Sequence, residues 1–499
     1  MNSTIKLPNI TLADKYILDR GRVYVTGQQA IIRLMMVQRK IDEKAGLNTG
    51  GFISGYRGSP MTAIDMELWR AGGETLKENH VKFWPGLNEN MAMTAVWGTQ
   101  KVGFTGDAKY DGVYSMWYGK GPGLDQTIDG SRQATLHGTA KHGGVLVLCG
   151  DDPDMTSTTD PYHSELLFED LLMPVLYPAD IQDVFDLGIY GIALSRFCGS
   201  FVGYKLIPET TETSASIDGD YNRIKVSYPK FMFPKDGVNS RRLNDIYDMD
   251  KRARKYKLPA ALAFARANNL NRITLESPKK KFGIVAMGKE WSNVNQALTD
   301  LGINEIKAKS LGISVLKIAM PFPSDDNLYR KFARGMDEVL VIEDKREQIQ
   351  NGFMRGCYDL SDKERPRIVG REDENGNPLV VDYKQTNTDR VARIIAQRIS
   401  YFYTSKAIES RLKLINNCKK AVAKADSIHT KHIPYFCSGC PHNTSTKIPE
   451  GSKAIGGVGC HYMATWMDRN VEGFTHMGGE GATWIGEEPF VNEKHVFQQ

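Results

Sequence analysis

Apolar positions along the first 230 residues recur with two alternating periods. After Thr26, the stretch AIIRLMMVQRKIDEKAG spaces its apolar residues three and four apart, which predicts a helix of about four turns ending near Gly46. Thr26 and Gln29 read as a capping box at its start, the hydroxyl taking one orphan N–H and the amide reaching back. GGFISGY predicts a strand running into a tight turn at Gly58 and Pro60, and TAIDMELWRAG predicts a second helix. Residues 88–103 read as a third helix, in which small residues permit close packing. The unbroken apolar run VLVLC at 145–149 predicts a strand covered on both faces. Residues 180–194 predict a helix and SFVGYKLI another strand. Strand, crossover helix, strand is the signature of a parallel sheet.

Beyond residue 230 the pattern changes twice. Residues 231–280 are basic with few apolar runs and read as a helical linker. A second alternation follows over 281–400: FGIVAMG as a strand, 291–301 as a helix, ISVLKIAMPFP and DEVLVIED as further strands. This predicts a smaller doubly wound domain. Residues 401–433 read as a lysine-rich helical connector whose charges form a solvated face. From 434 to 499, PYFCSGCPHN, GGVGC and HMGGEGATWIGEEPF concentrate glycine, cysteine and histidine in loops, where backbone can approach a ligand closely.

Composition narrows the classes that remain. The 499 residues imply about three domains at roughly 100–200 residues each. The chain is 41% hydrophobic and 25% charged, which suits a folded globular protein. A net charge of +5, evenly spread, argues against nucleic-acid binding. Seven cysteines form no disulfide framework, and no signal-peptide core or membrane-length apolar run is present. These features predict a cytoplasmic multidomain protein with no membrane partner.

Four constellations carry candidate chemistry. Cys437 and Cys440 form C-x-x-C, with Cys460 following in GGVGCHYM; zinc completed by His442 or His461, an iron–sulfur cluster, or a redox dithiol all remain open. Cys149, Cys198, Cys357 and Cys418 read as small buried hydrophobes. In GFISGYRGSP, a glycine-bracketed turn opens a helix, an arrangement that can aim N–H groups at a ligand. Glu89 starts an apolar helix, either as a charge complementing the helix dipole or as a buried acid holding a proton for a cofactor. The glycines of HMGGEGATWIG suit a phosphate or a flat ring but have neither dinucleotide nor P-loop spacing.

Taken in order, GFISGYRGSP, WPGLNENMAMTAVWGTQ, YGKGPGLDQ, VLVLCGDDPDMTST, FCSGCPHN, GGVGCHYM and HMGGEGATWIG resemble the indolepyruvate ferredoxin oxidoreductases over the whole chain, particularly the fused single-chain form. That family belongs to the thiamine-diphosphate-dependent 2-oxoacid:ferredoxin oxidoreductases. The resemblance implies an α/β fold: a pyrimidine-binding parallel-sheet domain at 1–230, a transketolase C-terminal-like domain at 281–400, and the start of a diphosphate-binding domain at 434–499. It implies that Gly55, Tyr56, Arg57, Gly58, Ser59 and Pro60 lie by the cofactor's thiazolium and the substrate. Glu89 would bond the aminopyrimidine, Gly478, Gly479, Glu480 and Gly481 would approach the cofactor, and Cys437, Cys440 and Cys460 would ligate a [4Fe–4S] cluster. Lys120 and Asp125 would face the substrate.

The implied reaction is oxidative decarboxylation of an arylpyruvate such as indolepyruvate to an acyl-CoA, with coenzyme A as co-substrate and electrons passing through the cluster to ferredoxin. Another 2-oxoacid, branched-chain or pyruvate-like, is the alternative substrate; a non-catalytic zinc-stapled fragment is the alternative function. The family continues into a Gly-Asp-Gly segment that holds Mg²⁺ and the diphosphate, and into a fourth cluster cysteine. Neither occurs before Gln499, so the chain reads as the N-terminal portion of a longer enzyme, homodimeric at full length. That leaves the activity of the isolated chain in doubt.

Overall fold

The computed structural model describes residues 10–156, 158, 160–242, 246–426 and 434–499. It divides into two compact units, 1–414 and 415–499. The domains read at 1–230 and 281–400 therefore share one unit rather than standing apart.

Eight strands precede residue 220: β1 (Arg22–Thr26), β2 (Thr49–Gly55), β3 (Val81–Phe83), β4 (Gly112–Lys120), β5 (Val145–Gly150), β6 (Val175–Leu176), β7 (Val202–Leu206) and β8 (Ser214–Asp218). β1 and β8 pair antiparallel as a small ribbon. The other six form a parallel sheet in the order β3-β2-β4-β5-β7-β6. VLVLC is buried along its length in β5, as its unbroken apolar run predicts. β4 has no such run, because Tyr, Ser, Gly and Lys interrupt GVYSMWYGK; nonetheless it lies between β2 and β5 and is almost wholly buried.

The helix Gly27–Lys44 packs on this sheet with the expected cap: Thr26 Oγ1 accepts from the Gln29 N–H at 3.2 Å, and Gln29 Oε1 accepts from the Thr26 N–H at 3.0 Å. Gly46, at φ +78°, lets the chain reverse after it. Its buried Ile31, Ile32, Leu34, Met35 and Met36 meet Val184, Phe185 and Ile192 of the helix Ile181–Cys198 in one core. Each such side chain contributes about 1.5–3 kcal/mol on burial.

The second sheet comprises β9 (Arg272–Leu275), β10 (Phe282–Met287), β11 (Ile313–Ile318), β12 (Glu338–Ile342) and β13 (Arg367–Val369), in the order β13-β12-β10-β11-β9. All are parallel except β9, which runs antiparallel at the edge. The helical linker expected at 231–280 is thus corrected. Helical turns there run from Met249 to Ala267, and the segment ends in β9. RITL is short and its burial alternates, so it leaves no long apolar signal.

Ion pairs tie the elements around the two sheets together. Lys317 of β11 reaches Asp183 at 2.5 Å, and Arg266 pairs with Asp325 at 2.6 Å. The connector at 401–433 forms a helix over Lys406–Asp426, and its last seven residues lie outside the described residues. Cys418 is exposed on that helix, correcting the buried reading, whereas Cys149, Cys198 and Cys357 are buried. No helix among the described residues is long and apolar enough to cross a membrane.

The second unit carries a parallel sheet β15-β14-β16, formed by β14 (Ala454–Gly456), β15 (Val471–Phe474) and β16 (Phe497–Gln498).

Candidate active site

In the first sheet the chain leaves β2 toward β3 on one side and returns to β4 on the other. The strand order therefore reverses between β2 and β4, and crevices outside the carboxyl ends of strands at such points are the habitual ligand sites of open α/β sheets. The turn Gly55–Pro60 leaves the end of β2, and Lys120 closes β4. Four of the stretches singled out from sequence come together here.

Close packing explains the glycines. A Cβ on Gly55 would run into the Tyr118 carbonyl, and one on Gly58 would lie 2.9 Å from the Lys120 stem. The Tyr56 N–H donates to the Tyr118 carbonyl at 3.1 Å, and the Gly86 N–H donates to the Gly55 carbonyl at 2.9 Å. Pro60 is buried, its carbonyl accepting from Gln28 Nε2 at 2.9 Å, and a Cβ on Gly150 would approach its ring to 3.0 Å. Ser59 Oγ reaches Glu212 Oε1 at 3.4 Å. Arg57 alone of this turn is exposed.

Glu89 is the first residue of the helix Glu89–Thr99, which Asn88 caps by accepting from the Met91 N–H at 2.8 Å. It is 5% exposed. A Cβ on Gly123 would stand 2.8 Å from its Oε1, so Gly123 keeps the carboxyl's place clear. Among the described residues no side chain donates a hydrogen bond to this carboxyl. Burial pushes it up from its ordinary range, against the smaller opposing pull of its own N–H and of Lys120.

Lys120 is 7% exposed and makes no hydrogen bond among the described residues. Burial lowers its pKa, and Glu89 and Asp160 only partly oppose that. A desolvated acid and a desolvated ammonium thus sit in one crevice without hydrogen-bonded partners. Asp125 lies exposed in the short helix Gly121–Asp125, accepting from the Tyr162 hydroxyl at 2.7 Å. YGKGPGLDQ is therefore a strand end and a helical turn rather than a free loop.

A protonatable, buried carboxyl with no side-chain donor is the chemistry an aminopyrimidine ring nitrogen requires of its partner. Gly123 leaves that carboxyl its room, while Gly55 and Gly58 let the turn pack against β4, so the residues fit thiamine diphosphate at this end. Sequence reasoning missed Asp65, Trp69 and Tyr118. Asp65 and Trp69 sit in the helix after the turn, and only their four-residue spacing on one face marks them.

The second unit holds the remaining sequence-predicted residues. Cys437 and Cys460 are exposed and Cys440 half-buried, all as free thiols. The C-x-x-C turn closes with the Cys440 N–H donating to the Cys437 carbonyl at 3.0 Å. The His442 and His461 rings lie 5.5 Å apart, and His461 Nε2 is buried without a partner. Burial lowers the His461 pKa, with His442 adding to the effect. Gly478 and Gly481 have φ of +85° and +79°, and the Gly478 N–H donates to Glu480 Oε2 at 2.8 Å. A Cβ on Gly479 would meet the His476 ring at 2.5 Å. Among the described residues no three His, Cys, Asp or Glu side chains are arranged to hold a metal ion. As placed, these residues do not fit a cluster or Mg²⁺.

Comparison with known proteins supports the resemblance drawn from the motifs. Residues 272–422 match a family model described as indolepyruvate oxidoreductase domain. The chain is 24% identical to the indolepyruvate oxidoreductase subunit IorA of Pyrococcus abyssi, over 88% of this chain and 60% of that protein. It is 26% identical to that of Thermococcus kodakarensis, over 80% of this chain and 64% of that protein. The chain thus resembles IorA over most of its own length while spanning 60–67% of the length of these curated relatives. A solved 2-oxoglutarate:ferredoxin oxidoreductase from Magnetococcus marinus, with 2-oxoglutarate, coenzyme A and succinyl-CoA bound, matches with a TM-score of 0.54 at 15% identity. That match covers 76% of this chain and 66% of that one. It bears out the α/β fold read from the alternation of strands and helices.

Proposed function

We propose that this chain supplies the pyrimidine-binding face of a thiamine-diphosphate-dependent 2-oxoacid oxidoreductase acting on arylpyruvates such as indolepyruvate. The observation that carries the reading is Glu89: a buried carboxyl without a side-chain donor, at the strand-order reversal, in a chain similar to IorA along most of its length. When bound, thiamine diphosphate supplies a thiazolium carbanion and stabilises the electron pair left as CO₂ departs. Glu89 would hold a proton at the aminopyrimidine nitrogen, and burial favours that protonated form by raising its pKa. Gly123 keeps the Glu89 carboxyl free to meet the ring. Lys120, desolvated and without a hydrogen bond among the described residues, favours an anionic substrate group, and Asp125 stands at the rim.

In the overall reaction the acyl group passes to coenzyme A, CO₂ is released and two electrons leave for ferredoxin. We further assign Gly478, Gly479, Glu480 and Gly481 to contact with the cofactor, whose Mg²⁺ and diphosphate the family's Gly-Asp-Gly segment would hold, and Cys437, Cys440 and Cys460 to a [4Fe–4S] cluster. Among the described residues the side chains do not converge on either metal group. We expect a cytoplasmic homodimer.

The test is CO₂ release from indolepyruvate and phenylpyruvate with thiamine diphosphate, coenzyme A and a viologen dye, in the protein carrying this chain. Glu89→Gln should lower turnover by about 10²–10⁴-fold and slow C2–H exchange while leaving the circular dichroism unchanged. Absence of any 2-oxoacid decarboxylation by the wild type sinks the reading. Iron and acid-labile sulfide assays decide the cluster, and zinc without iron would favour a stapled fragment instead.

A further inference from the structure

Arg57 is the one exposed residue of the turn that leaves β2, and it is not left loose. Its side chain is 61% exposed, yet its Nε lies 3.7 Å from Asp65 Oδ2 and its guanidinium carbon stands 5.8 Å from the Trp69 ring centroid. Asp65 and Trp69 are four apart on the helix Ala63–Glu78, so they present one face to the arginine. Each is itself held by the sheet. Asp65 is 3% exposed and its other oxygen accepts from the Tyr118 hydroxyl of β4. The Trp69 ring packs edge-on against Phe83 of β3, centroids 6.0 Å apart at 64°.

A loose, exposed ion pair of this kind adds little to stability, at most about 1 kcal/mol. Its effect is on orientation. With Nε toward Asp65 and the guanidinium carbon over the indole ring, the head group is steered to one side of the turn, and its two terminal nitrogens make no hydrogen bond among the described residues. A planar fork with free paired donors is the geometry that receives a carboxylate or phosphate through two parallel hydrogen bonds. It sits in the turn that leaves β2, next to Gly58, which packs on the Lys120 stem.

We propose that Arg57 is an oxyanion receptor of this site and that Asp65 and Trp69 are its positioning residues, the favoured ligand being the carboxylate of the 2-oxoacid. This rests on the substrate class proposed above. A phosphate, such as those of coenzyme A, offers the same chemistry.

Calorimetric titration of the full chain with phenylpyruvate, coenzyme A, inorganic phosphate and phenylacetone, which lacks the carboxylate, tests it. Arg57→Gln should weaken phenylpyruvate binding at least about tenfold and leave phenylacetone unchanged, with Arg57→Lys restoring only part of the loss. Asp65→Asn and Trp69→Ala should weaken phenylpyruvate by a few-fold at unchanged melting temperature, and Trp69→Phe should retain binding. A loss confined to coenzyme A and phosphate supports the receptor and makes phosphate its ligand. If phosphate binding depends on Arg57 while wild type binds no 2-oxoacid, the substrate reading falls and the receptor stands. Equal affinities in wild type and Arg57→Gln, or no oxyanion bound by wild type, overturn the proposal.

Discussion

At the carboxyl ends of β2 and β4 the chain places Glu89, Lys120 and Arg57. At the carboxyl ends of β10 and β12, where the second sheet also reverses its strand order, it places Glu290 and Asp344. Topology makes the two places equivalent, and packing makes them opposites. In the second, a Cβ on Gly288 would strike the Tyr177 ring, which arrives from the end of β6, and the Thr386 N–H donates to Asp344 at 2.9 Å. Glu290 and Asp344 are 1% and 3% exposed, and Glu290 Oε1 and Asp344 Oδ2 have no donor unless one acid keeps its proton. Burial, reinforced by Asp344, pushes Glu290 well up, and burial also raises Asp344. At the first switch point the buried acid has no side-chain donor among the described residues, whereas Tyr177 and the Thr386 N–H fill the second. A reversal of strand order therefore offers a crevice, and the neighbouring segments decide whether it stays one.

The same contrast separates two buried lysines. Lys205 meets Glu165 at 2.6 Å and Asp151 at 3.3 Å, and these carboxylates outweigh its burial and hold it above its ordinary range. For Lys120 burial outweighs the pull of Glu89 and Asp160, and no carboxylate among the described residues pairs with it at close range. The comparison breaks most sharply at these positions. Lys205→Met strands two buried carboxylates and should cost about 3–5 kcal/mol in urea unfolding, whereas Lys120→Met should leave stability equal or higher. Equal losses would show that Lys120 is paired in solution.

A smaller effect concerns the two acids. Because Glu290 is raised in the fold, the neutral acid is the stabilised form. Stability is then present near the ordinary carboxyl pKa of 4.5 and is lost as pH rises toward the raised value. Glu290→Gln should flatten the fall in melting temperature as pH rises above 4.5 by several degrees. An unchanged slope would mean that the pair does not share a proton. Smaller still, Gly123→Ala crowds the Glu89 carboxyl and should weaken thiamine diphosphate about tenfold while costing the fold about 1 kcal/mol or less, since the clash is with a side chain. Cys418→Ser, on an exposed helix face, should change stability by under about 0.5 kcal/mol.

Periodicity alone determined the helices Gly27–Lys44 and Ile181–Cys198 and the strands β5, β7, β10 and β12, because each is long or unbroken enough to carry its own period. The motifs likewise marked Glu89 and the Gly55–Pro60 turn, since a lone acid in an apolar helix and glycines in a turn are local oddities. β4, β9 and the pairing of β1 with β8 were decided only in three dimensions. Their residues gain burial from neighbours far along the chain, and a local pattern carries no record of that. The same holds for the chemistry. That Lys120 makes no hydrogen bond or ion pair among the described residues while Lys205 has two carboxylates in reach, and that Arg57 is braced by Asp65 and Trp69, follows from side chains brought together across the sheets. Charge and desolvation depend on those distances, and the sequence lists the groups without setting the distances between them.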